Sequence, residues 1–379
     1  MITKRRIVCM ALALLFAFGT AVAGAIGNSS SAVIYESELR SAIAVQEGNQ
    51  DDLFALPGVV AVGVGVAQDG ITPALHVYFN EAIPQASITA VPTQLEGVPV
   101  RVFETETIRA LDGPPGPHHR LSFKFPVPMG VSTGNPNGLF AGTLGARVHY
   151  RGQPNAVGYI TNNHVAAASG PGLCPASVNP ENLPQFGLRQ CQPGRLDAGG
   201  ACVREIGGLF KVVPIIMANT DAMDNVVPSN SFQNTVDTAF IASSRNLVKR
   251  SVLDITAGIS PELDSQAIGL GVRKSGRTTG FTRGRIQSIN VLVAVNYGGS
   301  PQNPCGTALF QGQIVIVSTT PGSPFSAAGD SGSLILGRRD SLGRRKAVGL
   351  LFAGSPSVTV ANRIADVFGS LGVRIDVPR

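Results

Sequence analysis

The chain has 379 residues, of which 14% are charged and 44% apolar, with 45 Gly, 26 Pro and no Trp. So few charges and so many turn formers exclude long solvent-exposed helices and point to short strands joined by tight turns. The net charge of +6 falls to +3 once Lys4, Arg5 and Arg6 are set aside with the amino-terminal segment, and without a basic cluster no nucleic-acid partner is expected.

Residues 1–23 join those three basic residues to an apolar stretch over 7–18 and then Ala21-Val22-Ala23, the layout of a secretory signal cleaved before Gly24. The apolar stretch would also suit an uncleaved anchor. The small-residue site favours cleavage, a secreted or periplasmic protein and no stable membrane association. Cleavage discards Cys9 and leaves Cys174, Cys191, Cys202 and Cys305, an even set in an oxidising compartment, so one or two disulfides are expected with their pairing open. Cys305 lies far from the others and could stay free. No pair has Cys-x-x-Cys spacing, so neither a metal nor another cofactor is expected.

Residues 31–49 place Leu39, Ala42 and Ile43 at helical spacing. Alternating runs follow at Val60 to Val66, Leu75 to Phe79 and Val98 to Val102, with a helical turn over 87–95. Residues 24–109 therefore read as a small α+β domain, a pro-region or regulator. Residues 110–130 contain Gly113-Pro114-Pro115-Gly116-Pro117, Pro126 and Pro128, which suits an extended linker. In 131–379, apolar runs over 142–150, 156–161, 209–217, 235–241, 268–274, 285–295, 309–317, 332–336, 347–352 and 358–362 predict short strands of a sandwich or of barrels. Ile364, Val367, Phe368 and Leu371 then predict one carboxy-terminal helix.

Three polar motifs interrupt this β pattern. Ser331 lies in Gly329-Asp330-Ser331-Gly332-Ser333, where the glycines permit a tight turn and the N–H groups of Gly329 and Ser331 can converge on a developing oxyanion. A serine hydroxyl needs an imidazole to take its proton and a carboxylate to hold that imidazole. His164 follows the apolar run ending at Thr161, at the rim where a strand leaves the core. The other histidines read as structural or solvated: His76 on a strand's polar face, His118 and His119 in the linker, His149 at a strand end. Asp237 breaks an apolar run, where an unpaired polar group would cost on the order of 2–7 kcal/mol, so a partner is expected. Asp221 and Asp224 are its rivals, in a polar loop that suits solvation. The order His, Asp, Ser is that of double β-barrel hydrolases, and Ser333 breaks the Gly-x-Ser-x-Gly elbow of α/β-hydrolases.

Gly142-Thr143-Leu144-Gly145-Ala146, Ile160-Thr161-Asn162-Asn163-His164-Val165, Asp237-Thr238-Ala239-Phe240-Ile241, Ser275-Gly276-Arg277-Thr278-Thr279-Gly280 and Gly329 to Leu334 together resemble a trypsin-like serine peptidase of the chymotrypsin fold. The flavour is that of bacterial secreted peptidases and the plant Narrow-leaf-type proteins. The resemblance covers about 130–379 and implies a mainly β, chymotrypsin-like double β-barrel with a C-terminal helix, preceded by the small α+β domain. It implies a secreted endopeptidase acting on peptide or protein substrates, with His164 as general base, Asp237 as its orienting acid, Ser331 as nucleophile, and Gly329 with Ser331 as oxyanion hole. By position relative to Ser331, Phe325 falls at the base of the substrate pocket, with Phe352 and Gly354 along its wall, which suits small or apolar side chains over Lys or Arg. The chain lacks the Ile-Val-Gly-Gly start whose new amino terminus would pair with Asp330. The long stretch 168–234 reads as a stapled surface insertion. A catalytically idle binding or scaffold protein, or one that processes only itself, are the alternatives.

Overall fold

A computed structural model describes residues 33–80, 90–110, 118–170, 172–178, 187–220, 226–300 and 302–377. The signal segment, Asp221 and Asp224 lie outside them, as does 81–89 with the first three residues of the expected helical turn over 87–95; that reading is corrected at its end, where Gln94–Leu95 forms a short strand. The class is mainly β, built on two large sheets, each taken with its strands as one body, with a helix at the carboxy end. In the first body six strands run in the order Arg189–Cys191, Glu205–Val212, Ala239–Ala242, Gln153–Thr161, Ala146–Tyr150, Val373–Ile375. Val148, Tyr159, Ile160, Phe240 and Ile241 from these strands are all buried in one core cluster. The helix Ile364–Leu371 closes that core with the four apolar residues its spacing predicts, all buried.

The second body is a thirteen-stranded sheet in which the long antiparallel strands Gly280–Asn296 and Thr307–Ser318 continue through Thr359–Arg363 and Arg345–Gly354 to Leu334–Arg339. Both predicted strands of 59–80 join this same sheet. Val59–Val66 pairs antiparallel with Gly280–Asn296, putting Val62 opposite Leu292, and Pro73–Asn80 and Val98–Thr105 extend the ladder outward. The division into a small domain over 24–109 and a peptidase domain over 131–379 is thus corrected: residues 32–379 form one compact unit. The pattern of 59–105 is amphipathic on its own, but the apolar face it presents is completed by Ile286, Ile289 and Ile316 from the far half of the chain. The linker is likewise pinned on both sides of 111–117, which lie outside the described residues. Arg109–Ala110 pairs with Arg345–Gly354, and Val127–Met129 with Val248–Val252.

The helix predicted over 31–49 is observed at Arg40–Phe54, because Ile34–Tyr35 is drawn into a strand pair with Ala267–Ile268. Nor is 168–234 a surface insertion, since Glu205–Val212 lies inside the six-stranded sheet. Among the described residues no helix is long and apolar enough to cross a membrane.

Candidate active site

His164 sits in a single helical turn, Asn163–Ala166, directly after the strand Gln153–Thr161. Asp237 precedes the neighbouring strand Ala239–Ala242, paired to the first through Thr161 and Ala239. This adjacency delivers the carboxylate to the imidazole. His164 Nδ1 is 2.5 Å from Asp237 Oδ2, and Asn163 N donates to Asp237 Oδ1 at 2.7 Å. The buried carboxylate that the sequence required to be partnered accepts a further bond, from Tyr297 Oη to Oδ2 at 2.9 Å. The Tyr297 ring stands edge-on to His164 with centroids 5.9 Å apart. Main-chain bonds fix the aspartate as well, with Asp237 N donating to Asn362 Oδ1 at 3.1 Å and Asn162 Nδ2 donating to Asp237 O at 2.7 Å.

Ser331 lies on the turn entering Leu334–Arg339, in the second body, and Thr143 ties it to the first. Thr143 N donates to Ser331 O at 2.7 Å, Thr143 Oγ1 donates to Gly329 O at 2.9 Å, and Thr161 Oγ1 donates to Thr143 O at 2.9 Å. The strand that carries His164 and the loop that carries Ser331 therefore meet on one threonine. Ser331 Oγ donates to Phe352 O at 3.2 Å. The turn places Gly329 at φ +97° and Gly332 at φ +94°, in the left-handed region glycine favours. A Cβ on Gly329 would strike the Arg277 guanidinium and Thr278 Oγ1, and one on Gly332 would strike Thr143 O and Thr161 Oγ1. A tight glycine turn can present its side chain to solvent, yet Ser331 is 0% and His164 4% exposed.

Beneath the turn, Asp330 accepts from Thr279 Oγ1 at 2.7 Å and from the amides of Thr278 and Ala327 at 2.8 and 3.0 Å, and lies 3.2 Å from Lys274 Nζ. Burial alone would raise the Asp330 carboxyl, but the Lys274 ammonium and these donors outweigh it and hold it below the usual carboxylate range. An internal lysine thus fills the place of the amino-terminal ammonium that the sequence lacks. Arg277, also fully buried, makes a two-pronged bond to Asp197, at 2.6 Å to Oδ1 and 2.7 Å to Oδ2.

The cysteines are paired as Cys174–Cys305 and Cys191–Cys202, with Cα atoms 5.3 and 5.2 Å apart, so Cys305 is not free. The first links the segment after His164 to the second body, and the second closes the loop bearing Asp197. Phe325, 2% exposed, packs in the core with Ile316 and Leu351, and Phe352 packs on Phe310 at a centroid distance of 4.9 Å. Gly354 lies on a strand edge opposite Arg109. His76 is buried rather than on a polar face, bonded to Ser288 Oγ at 2.8 Å and Val66 O at 2.9 Å. No grouping of His, Cys, Asp and Glu among the described residues is disposed to hold a metal. Tyr297, Thr143 and Lys274 escaped the sequence reading as site residues. Thr143 and Lys274 lie inside or beside the quoted blocks, while nothing near Tyr297 in the sequence signals its role.

No family model matches the chain, and no curated protein does. Among solved structures it is similar to Thermobifida fusca protease A at 17% identity, covering 66% of this chain and 99% of that one, with a TM-score of 0.40. It is similar to the Nocardiopsis protease at 17% identity over 66% and 99%, TM-score 0.39. A third is a glutamic acid-specific serine protease, at 15% identity over 66% and 100%, TM-score 0.36.

Proposed function

We propose that the chain is a secreted serine endopeptidase. Ser331 Oγ attacks a peptide carbonyl, and His164 Nε2 accepts its proton while Nδ1 remains bonded to Asp237. The N–H groups of Gly329 and Ser331 stabilise the oxyanion of the tetrahedral intermediate. The leaving amine takes the proton from His164, and the acyl group stays on Ser331 until water, deprotonated by His164, releases it. Asp237 holds one tautomer of the imidazole. The carrying observation is the short Asp237 to His164 bond, fastened to the Ser331 loop through Thr143. An idle scaffold would have no use for a buried carboxylate satisfied by an imidazole, a phenol and an amide at once. Two disulfides support folding in an oxidising compartment outside the cytoplasm.

The test is covalent labelling with a fluorophosphonate, followed by peptide mapping, with casein as protein substrate. The expected result is a single adduct on Ser331, its loss in Ser331→Ala, and casein hydrolysis that disappears with it. An adduct elsewhere, or equal hydrolysis by Ser331→Ala, sinks the reading.

A further inference from the structure

We propose that Ile108, Arg109 and Ala110 occupy, within the same chain, the strand edge on which a peptide substrate is held for Ser331, so that the full chain inhibits itself; the inference rests on the peptidase reading above. The edge in question belongs to Arg345–Gly354. Its middle is taken by the residues after the nucleophile, with Gly332 N donating to Leu351 O at 2.8 Å and Leu351 N donating to Ser333 O at 3.0 Å. Its end is taken by Arg109–Ala110, which pairs antiparallel with Arg109 opposite Gly354 and Ala110 opposite Ala353. Phe352 lies between the two ladders, and its carbonyl accepts the Ser331 hydroxyl.

Direction decides what this contact is. Going from Arg109 to Ala110 the chain advances from Gly354 to Ala353, toward Phe352 and Ser331. A strand rises roughly 3.4 Å per residue, so Ala110 ends one step short of the position opposite Phe352. A polypeptide laid here is delivered to the nucleophile carboxyl-end first, the orientation in which the acyl half of a substrate must approach. Adding a strand to a free edge is also the general way in which proteins grip extended peptides, the main chain giving affinity and alternate side chains giving specificity.

The side chains behave accordingly. Ile108 is 1% exposed and shares an apolar cluster with Phe310, Phe352, Val358 and Tyr297, while Arg109 points to solvent. Asn296 N donates to Ile108 O at 3.0 Å, holding the segment from its other side. Thr105 Oγ1 lies 2.8 Å from Ser355 Oγ, and Ser357 Oγ donates to Glu106 Oε2 at 3.0 Å, fastening the approach. The competing substrate is an extended peptide with an apolar residue just before the two that pair.

The experiment uses the full chain and two variants, Ile108→Asn, which weakens the apolar anchor, and the milder Thr105→Val, which removes only the hydroxyl staple. Each is checked for native fold by circular dichroism. Fluorophosphonate labelling rate at Ser331 and amide hydrogen exchange over 352–355 are then read together. Displacing an intramolecular competitor, whose effective concentration is on the order of millimolar, should raise the labelling rate about tenfold in Ile108→Asn and less in Thr105→Val, with faster exchange. If Ile108→Asn does not fold, Thr105→Val alone carries the test. Labelling as fast in the full chain as in the folded variants overturns the inference and leaves the peptidase reading standing. Faster exchange with no labelling in any form overturns that reading, and the inference with it.

Discussion

Tyr297 is the residue at which the site departs furthest from what its motifs announce. Its hydroxyl donates to the same Asp237 oxygen that faces His164, so it shares with the imidazole the negative charge on that oxygen. Hydrogen bonds to charged groups are worth roughly 1.5–3 kcal/mol. Tyr297→Phe should therefore lower kcat about tenfold or more with KM little changed. Because the carboxylate then favours the imidazolium more strongly, the acid limb of the kcat/KM profile should move to higher pH. A stopped assay across pH 5–9 checks both, and a fall in kcat with an unmoved limb would mean that Tyr297 serves packing alone. The three proposed reacting residues were legible by different routes: Asp237 because an unpartnered carboxylate is costly in an apolar run, Ser331 from its glycine-flanked turn, and His164 because a serine hydroxyl needs a base. Tyr297 was not, because an aromatic beside Gly298 and Gly299 at a strand end is equally at home in a core, and its partner lies 60 positions away. Counting from a nucleophile likewise fixes Phe325 and Phe352 as positions on the chain but not the direction in which each ring packs.

Strand existence was readable from period-two alternation over 60–102 and from short apolar runs between turn residues in much of the second half, and the closing helix from its 3.6-residue period. Sheet membership was not readable. Val59–Val66 looks like a strand of any small α+β unit, and only the register with Gly280–Asn296 assigns it to the thirteen-stranded sheet. Disulfide pairing was equally closed to sequence, since four cysteines allow three pairings. Cys174–Cys305 joins residues 131 apart, and by loop entropy its removal should cost several kcal/mol, typically 2–4. Denaturant unfolding of Cys174→Ser/Cys305→Ser under non-reducing conditions should lose about that much stability. Removing Cys191 and Cys202, only 11 apart, should cost less. If the order is reversed, strain or contacts around Asp197 outweigh chain entropy.

Across the whole molecule, three buried or half-buried carboxylates share one sign of response to acid. Burial alone would raise Asp330, Asp340 and Asp376, but Lys274 beside the first, Ser260 and Arg344 beside the second, and Arg245 and Arg147 beside the third hold all of them low, Asp340 at about 2. A carboxyl lowered in the folded state contributes stability that is complete above its ordinary value of 3.8 and lost as pH falls through the folded value. Thermal unfolding should therefore be nearly independent of these groups from pH 7 to about 5 and drop steeply from about 4 to 2. A Tm that stays level down to pH 2 would show the three contacts to be energetically idle.

The ladder between Val59–Val66 and Gly280–Asn296 also limits how such a molecule could mature. Were the backbone severed anywhere after Ala110, the two fragments would still share hydrogen bonds and a common apolar interior, and parting them would bare a long unpaired edge to water. Scission would thus yield a tightly joined heterodimer rather than a shed prodomain, and its release from restraint would be local, confined to the few residues nearest the break.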